Sequence, residues 1–261
     1  MPPEGRRPLS SVRVERTPTI LAMGGEPTLD ELVLELTDMP RPRVCLLPTA
    51  GGDSEHQIRR FYEAYQDRLC EPTHISLFRL GRHPVPLRDH LLSQDAIYVG
   101  GGSMVNLLAI WKAQDIHHIL REAWHNGIVL AGLSAGSMCW FEYGITTSSG
   151  TPEPAPGLSF LPGSNSVHHD SDPRRRPVYL EAVRTGAIPA GYATDDGAGL
   201  VFRGVSLQEV VSAGENARAY EVTATGERPL ETRAQPRRHE RPATAPAVAE
   251  LRRLRLARLA D

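Results

Sequence analysis

The sequence is poor in cysteine and in net charge, and it has no long apolar run. Its three cysteines, Cys45, Cys70 and Cys139, are too few and too scattered for a disulfide framework or a thiolate metal site. No apolar stretch approaches the roughly 20 residues that span a bilayer, and a net charge of −2 does not draw the chain to nucleic acid or to membranes. No hydrophobic stretch follows the arginines near the N-terminus, so we expect no secretory signal and a reduced, cytoplasmic protein.

The sequence does contain apolar runs that end in glycine and alternate with helix-like segments. Hydrophobic residues make up 40% of the 261 residues, enough to form a large core. The strand-like runs before residue 145 are TILAMGG, RVCLLPTAGG, HISLFRL, DAIYVGGGS and IVLAG. This alternation predicts an α/β fold with a mostly parallel sheet and helices on both faces. Ligands bind beyond the carboxyl ends of such strands, and the glycine pairs and triplets all fall at that edge.

The composition divides the chain into three predicted parts. Residues 1–16 are a flexible arm, residues 17–225 an α/β domain, and residues 226–261 an Arg/Pro-rich tail. The end of the tail, VAELRRLRLARLAD, is either a solvated segment or a short helix that docks on a partner or on the chain itself.

The second half of the predicted domain differs in composition from the first half. The Pro/Gly/Ser-rich residues 150–166 predict an irregular loop, and residues 176–186 predict a helix. Residues 197–213 predict a C-terminal β-hairpin, which ARAYEVT follows as a further strand.

Ser134 lies in a Gly-x-Ser-x-Gly pentapeptide, Gly132 to Gly136. An apolar strand precedes it and a helix-like segment follows, which is the setting of a nucleophile elbow. A serine hydroxyl needs exposure and an adjacent base to act as a nucleophile, and a sharp strand-to-helix turn gives the exposure. The alternative is a small-residue turn that serves only close helix–sheet packing.

Three glycines, 100 to 102, follow the preceding predicted strand. The segment lacks both the P-loop pattern and the dinucleotide fingerprint. Its N–H groups could bind a phosphate, stabilise an oxyanion, or belong to a plain turn. Beside a nucleophile elbow, the oxyanion donors would be the N–H groups of Gly102, or a neighbouring glycine, and of Ala135.

A base and an acid are available further along the chain. His168 and His169 are candidate bases, and Asp195 or Asp196 could orient the imidazole, although an Asp-Asp-Gly sequence is also a common turn. No second group of ligands with convincing spacing accompanies the histidines, so we expect no metal.

Four segments in this order, YVGGGSMVNLL, AGLSAGSMCWF, LPGSNSVHHDSDPRRR and GYATDDGAGL, resemble the peptidase E (α-aspartyl dipeptidase) family, to which cyanophycinase is related. The resemblance implies a flavodoxin-like fold, similar to class I glutamine amidotransferases, and a Ser-His-acid triad. It assigns Ser134 as nucleophile, His168 as base, Asp196 as acid with Asp195 in reserve, and Gly102 and Ala135 as oxyanion donors. Relatives often carry glutamate where Asp196 stands and asparagine where Ser103 stands.

The expected function is therefore that of a serine peptidase acting on short peptides, dipeptidase-like, with Asp-X pairs as candidate substrates. Ser103, Asp170 and Arg175 are candidate substrate contacts, and Arg175 belongs to a run that could attract a carboxylate. We expect no cofactor, no nucleic-acid or membrane partner, and a monomer or homodimer.

Two alternatives stay open. An α/β-hydrolase esterase would need a late histidine, for which only His239 qualifies, and a non-catalytic relative would keep the fold without turnover. A glutamine amidotransferase would need cysteine at position 134.

Overall fold

The structure is a computed structural model that describes residues 16–26, 28–78 and 86–235. The predicted arm, apart from Arg16, and the helix predicted near the C-terminus lie outside these residues. Within the described ranges, none of the helices combines the length and the apolar character needed to cross a membrane.

An eight-stranded sheet carries the predicted alternation of strands and helices. Its five mutually parallel strands are β1 (Thr19–Met23), β2 (Arg43–Leu47), β3 (Glu71–His74), β4 (Ala96–Val99) and β5 (Val129–Leu133). The sheet continues beside β1 with β10 (Ala198–Arg203), β11 (Ser206–Ser212) and β14 (Arg233–Ala234). The order is β14-β11-β10-β1-β5-β4-β2-β3, with β10 antiparallel to β1 and to β11. The predicted mostly parallel sheet is confirmed, and β10 and β11 form the predicted hairpin.

Helices cover both faces of this sheet, as predicted. On one face lie α1 (Asp30–Glu35) and α2 (Glu55–Tyr65), and on the other α3 (Leu87–Leu92), α4 (Met104–Ala113) and α5 (Ile116–His125). Alternate residues of the central strands enter the two cores: Leu21 belongs to the core that contains Phe61 of α2, whereas Ile20 belongs to the core that contains Trp111 of α4. A strand that is buried on both faces has apolar side chains on both faces, which explains the continuous apolar runs in the sequence.

A second, six-stranded sheet was not predicted. Its strands are β6 (Tyr143–Thr146), β7 (Glu153–Pro156), β8 (Ser164–Val167), β9 (Gly191–Thr194), β12 (Ala219–Thr223) and β13 (Gly226–Pro229). Their order in the sheet is β13-β12-β9-β8-β6-β7, and α7 (Arg175–Arg184) packs on one face of this sheet. The short helix α6 (Ala135–Met138) joins the end of β5 to this second sheet.

Three sequence predictions need correction here. The loop predicted at 150–166 contains β7 and the start of β8, and the tail predicted from residue 226 begins with β13 and β14. The strand predicted at 74–80 is instead β3, Glu71–His74, and residues 79–85 lie outside the described ranges. Proline-bearing β7 is an edge strand and β8 is built from small polar residues, so neither shows the alternation that marks a strand.

The order in which successive strands join the sheet reverses at β2. From β2 the chain adds β3 outward, then returns across β2 to form β4 and β5. The loops beyond β2 and β4 therefore flank a topological switch point, where open α/β sheets bind their ligands. These loops are the 3₁₀ turn Thr49–Gly51 and the glycine triplet 100–102, and Ser134 follows on the neighbouring strand.

Candidate active site

Ser134 occupies the sharp turn between β5 and α6. Its φ of 55° and ψ of −111° are strained for a residue with a side chain, and its N–H is fixed by donating to Gly24 O at 2.9 Å. The flanking glycines permit the turn: a methyl group on Gly132 would lie 1.9 Å from Gly136 O, and one on Gly136 would lie 2.4 Å from Val99 O. The pentapeptide therefore has the sharp strand-to-helix turn that a nucleophile elbow requires, with close backbone packing at both flanking glycines.

His168 contacts the serine, and His169 does not. His168 follows β8 and lies with its Nε2 at 2.8 Å from Ser134 Oγ. His169 is buried, and its Nε2 lies 2.9 Å from Glu227 Oε2 on β13. Burial lowers the pKa of His169, partly offset by the carboxylate of Glu227. The geometry thus separates two adjacent histidines: His168 contacts Ser134, and His169 contacts Glu227 on β13.

Asp196 completes a continuous chain of hydrogen bonds. Its Oδ1 lies 2.7 Å from His168 Nδ1, and its Oδ2 accepts from Ser171 Oγ at 2.7 Å. Its backbone N–H donates to Asp170 Oδ1 at 2.9 Å. The aspartate, one methylene shorter than the glutamate of relatives, therefore reaches the imidazole.

Asp195 faces away from the imidazole. Its Oδ2 accepts from the N–H of Arg218 at 2.9 Å, and its side chain is buried. The pKa of Asp195 is raised to about 6, mainly by burial and also by the nearby charges of Asp170 and Asp196, while the hydrogen bond from the Arg218 N–H lowers it. The reserve acid thus has a structural position beside the site.

The glycine pair after β1 makes room for the acid. A methyl group on Gly25 would lie 1.8 Å from Asp196 Oδ1 and 2.7 Å from His168 Nδ1. One on Gly24 would lie 2.0 Å from Asp195 O. The sequence had marked this pair as part of the glycine-rich edge, but not its contact with the acid. Ser171, which fixes the second acid oxygen, had no signal in the sequence.

The two expected oxyanion donors lie beside the serine with their N–H groups available. Within the described ranges, neither Gly102 N–H nor Ala135 N–H has a hydrogen-bond acceptor. A methyl group on Gly101 would lie 3.2 Å from Ser134 Cβ, which places the glycine triplet against the nucleophile. Gly102 has a φ of 139°, a conformation that residues with a side chain rarely adopt.

The three candidate substrate contacts have different surroundings. Ser103 is half-buried at the start of α4, where its Oγ accepts from Asn106 N–H at 3.2 Å and donates to Ser148 Oγ at 3.0 Å. Asp170 is exposed, and its carboxylate holds the backbone of Asp196. Ser103 and Asp170 thus border the catalytic loops.

Arg175 does not reach the site, which corrects the expectation from the sequence. Its side chain is buried, and its guanidinium donates to the carbonyl oxygen of Ile145 and to Thr147 Oγ1. Arg175 Nε lies 3.4 Å from Asp172 Oδ2. The run of arginines gave no sign that its middle member points inward.

A group of potential metal ligands lies away from the catalytic loops. Ligand atoms of Asp115, His117 and His118, at the start of α5, all lie within 4.8 Å of one another. His117 also contacts Trp111 O through Nδ1 at 3.3 Å. This group is on the protein surface and plays no part in the arrangement around Ser134.

Comparison with known proteins assigns the family. The model of "Peptidase family S51" matches residues 20–210. "Uncharacterized peptidase YgaJ" of Bacillus subtilis (strain 168) is 45% identical over 211 residues, which is 78% of this chain and 91% of that protein.

Two solved structures share the fold. A peptidase from an acI-B1 Actinobacterium has a TM-score of 0.63 at 19% identity, covering 84% of this chain and 96% of its own. A putative peptidase E protein from Listeria monocytogenes EGD-e has a TM-score of 0.58 at 16% identity, covering 74% and 97%. The family match over most of the domain and the 45% identity establish that this chain belongs to peptidase family S51 and is a serine-type peptidase.

Proposed function

We propose that the chain hydrolyses short peptides by acyl transfer to Ser134, with His168 as the general base and Asp196 as its orienting acid. One observation carries the proposal: the chain of contacts from Asp196 Oδ1 to His168 Nδ1, 2.7 Å, and from His168 Nε2 to Ser134 Oγ, 2.8 Å. Both distances are within hydrogen-bonding range, and the second allows the Ser134 proton to pass to His168.

Asp196 selects the tautomer of His168 that the first step needs. An ionised carboxylate accepts a hydrogen bond, so the Nδ1 proton of His168 faces Asp196 and the lone pair of Nε2 faces Ser134 Oγ. The Ser134 proton passes to Nε2 as Oγ bonds to the scissile carbonyl carbon. The imidazolium formed is stabilised by the carboxylate.

The glycine loop and the elbow supply the electrophilic part of the site. The carbonyl oxygen becomes an oxyanion between the N–H groups of Gly102 and Ala135, a contribution of about 10²–10³ in kcat for each donor. The imidazolium then protonates the leaving amine, which departs and leaves an ester on Ser134. Water, deprotonated by His168, hydrolyses the ester and regenerates the hydroxyl.

The motifs that resemble the peptidase E (α-aspartyl dipeptidase) family support a short peptide as the substrate and make Asp-X pairs the first substrates to test. The arginines beside the catalytic loop do not add support for an acidic side chain. Arg174 pairs with Asp172, Arg176 with Glu227, and Arg175 is buried.

A panel of dipeptides and tripeptides, including Asp-X pairs, tests the proposal by release of free amino acids. We expect the wild-type protein to cleave at least one member, and Ser134→Ala and His168→Gln to lose that activity. His169→Gln is the matched control, because it changes the neighbouring histidine that contacts Glu227. Cleavage that survives in Ser134→Ala would overturn the proposed nucleophile.

The esterase alternative has no support in the described residues. The late histidine that it requires, His239, lies outside the described ranges, and among the described residues His168 is the histidine within hydrogen-bonding distance of Ser134 Oγ. A chromogenic ester offered beside the peptide panel distinguishes the two activities.

A further inference from the structure

The side chain of Gln57 packs against the glycine triplet, which also adjoins Ser134. Gln57 lies in the first turns of α2, and its Nε2 donates to Gly101 O at 3.1 Å. Its Oε1 is buried against the backbone: a methyl group on Gly100 would lie 2.4 Å away, and one on Gly51 3.1 Å away. The amide therefore fills the space between the 3₁₀ turn after β2 and the loop after β4.

The bond from Gln57 sets the direction of the Gly102 N–H. The peptide between Gly101 and Gly102 is trans, so its carbonyl and its N–H point in opposite directions. Because Gly101 O faces Gln57, the Gly102 N–H faces away from α2. A methyl group on Gly101 would lie 3.2 Å from Ser134 Cβ and 3.8 Å from Ser134 Oγ, so this peptide adjoins the nucleophile.

The neighbouring peptides of the loop are held by the backbone itself. Gly100 N–H donates to Leu47 O at 3.1 Å, and Ser103 N–H donates to Ala50 O at 2.8 Å. Between these two anchors, the Gly101–Gly102 peptide has glycine on both sides, and glycine offers little steric resistance to rotation of the peptide plane. Of the contacts among described residues, the bond from Gln57 is the one that a side chain makes to this peptide.

We propose that Gln57 is a positioning residue for the oxyanion hole: it holds the Gly101 carbonyl away from the site so that the Gly102 N–H can stabilise the oxyanion. This inference rests on the proposed function of Ser134. Without the donor, the peptide can rotate and present a carbonyl oxygen to the developing negative charge, which removes a donor and adds a repulsion. Gln57 itself touches neither the serine nor the substrate.

The rate of Ser134 modification by diisopropyl fluorophosphate tests this inference without a known substrate. The serine oxygen bonds to phosphorus and fluoride leaves, while negative charge develops on the phosphoryl oxygen where the oxyanion would lie. We expect Gln57→Leu, which keeps the approximate volume and removes the donor, to slow modification about tenfold or more, because one oxyanion donor is worth about 10²–10³. Gln66→Leu, at the exposed end of the same helix, should react at the wild-type rate.

Gln57→Glu gives a signature that a merely structural role would not produce. An ionised carboxylate repels the Gly101 carbonyl, whereas a protonated one can donate to it. The ratio of the Gln57→Glu rate to the wild-type rate should therefore rise several-fold as the pH falls from 8 to 5. Melting curves at each pH confirm that both variants are folded during the measurement.

The outcomes separate the two proposals. A folded Gln57→Leu that reacts at the wild-type rate, or a Gln57→Glu ratio independent of pH, overturns the role of Gln57 and leaves the nucleophile in place. A wild-type protein that is modified no faster than Ser134→Ala overturns the proposed nucleophile and the role of Gln57 with it.

Discussion

At the residue scale, two adjacent aspartates have different partners although the sequence presents them as a pair. Asp196 contacts the imidazole of His168, and Asp195 accepts from the backbone of Arg218. The sequence motif alone left both open as the acid. Their different partners provide two substitutions that are matched in chemistry and adjacent in the chain.

We expect Asp196→Asn to lower kcat by about 10³–10⁴, because a neutral amide neither selects the required tautomer nor stabilises the imidazolium. KM should change little. Asp195→Asn should keep kcat within about tenfold of the wild type, since the Asn carbonyl can still accept from Arg218. Steady-state kinetics of the two variants on one cleaved peptide checks this, and an equal loss in both would contradict the assignment of the acid.

The raised pKa of Asp195 predicts a dependence of stability on pH. Its pKa rises from the ordinary 3.8 to about 6 on folding. Between these values the folded state binds more protons than the unfolded chain, so the free energy of unfolding falls as the pH rises through this window. Asp195→Asn removes this loss. Relative to the wild type, the variant should gain about 2 kcal/mol more at pH 7.5 than at pH 4.5 in urea unfolding.

A constant difference between the variant and the wild type at the two pH values would show that Asp195 has an ordinary pKa in the folded protein. The Asn carbonyl oxygen can still accept from the Arg218 N–H, so loss of that hydrogen bond does not confound the comparison.

The residues around Ser134 were predictable because each belongs to a local motif. Four short segments are recognisable from a few consecutive residues: the Gly-x-Ser-x-Gly pentapeptide, the glycine triplet, the His-His-Asp segment and the Asp-Asp-Gly segment. The structure brings these segments together. Gln57 and Ser171 gave no signal, since each acts through one hydrogen bond to a residue 44 or 25 positions away. The catalytic roles themselves stay predictions for the variants above to test.

At the scale of elements, the close approach of β1 to the catalytic loops makes its terminal glycine pair sensitive to any side chain. We expect Gly25→Ala to lower kcat by at least 10²-fold, because its methyl group would displace Asp196 from His168. Gly214→Ala is the matched control: nothing lies within 4 Å of the added methyl group, so activity should be unchanged and stability equal or slightly higher. Kinetics and melting of the two variants make the comparison.

Full activity in Gly25→Ala would mean that the Asp196 side chain can move without cost to the reaction. It would therefore weaken the claim that this carboxylate must hold the imidazole.

The N-terminal turn of α7 depends on a buried guanidinium. We expect Arg175→Met to lower the free energy of unfolding by about 2–4 kcal/mol, because it leaves the buried carbonyl of Ile145 without its donor and removes one of the two arginines that pair with Asp172. Arg174→Met, which loses an exposed pair with Asp172, should cost less than about 1 kcal/mol. Urea unfolding distinguishes them. An Arg175→Met protein of normal stability with a raised KM would restore Arg175 as a substrate contact.

The elements of the first sheet were predictable and those of the second were not, for a physical reason. Strands β1, β2, β4 and β5 are buried on both faces and read as apolar runs ended by glycine. In contrast, β8 buries Ser164, Asn165 and Ser166, and the first two make long-range side-chain hydrogen bonds: Ser164 Oγ donates to Pro189 O, and Asn165 Oδ1 accepts from Ser137 Oγ. A short window of sequence cannot distinguish such a strand from a loop.

At the scale of the whole molecule, the described C-terminal strands brace the catalytic half. Glu227 on β13 contacts both His169 and Arg176, and β14 pairs with β11. We therefore expect a chain that ends at Thr225 to melt several degrees below one that ends at Gln235, and to have a lower kcat. Glu227→Gln in the full chain should fall between the two. Equal melting temperatures for the two shortened chains would instead support residue 225 as the end of the domain.

The contacts around the serine cross from one sheet to the other. Ser134 follows a strand of the large sheet, His168 follows a strand of the small one, and Asp196 lies on the segment that connects them. Neither sheet alone positions all three residues. Turnover should therefore depend on how the two sheets are aligned. If gentle heating shifts one sheet against the other by a fraction of an ångström, we expect activity to be lost while the spectrum is still that of a folded chain.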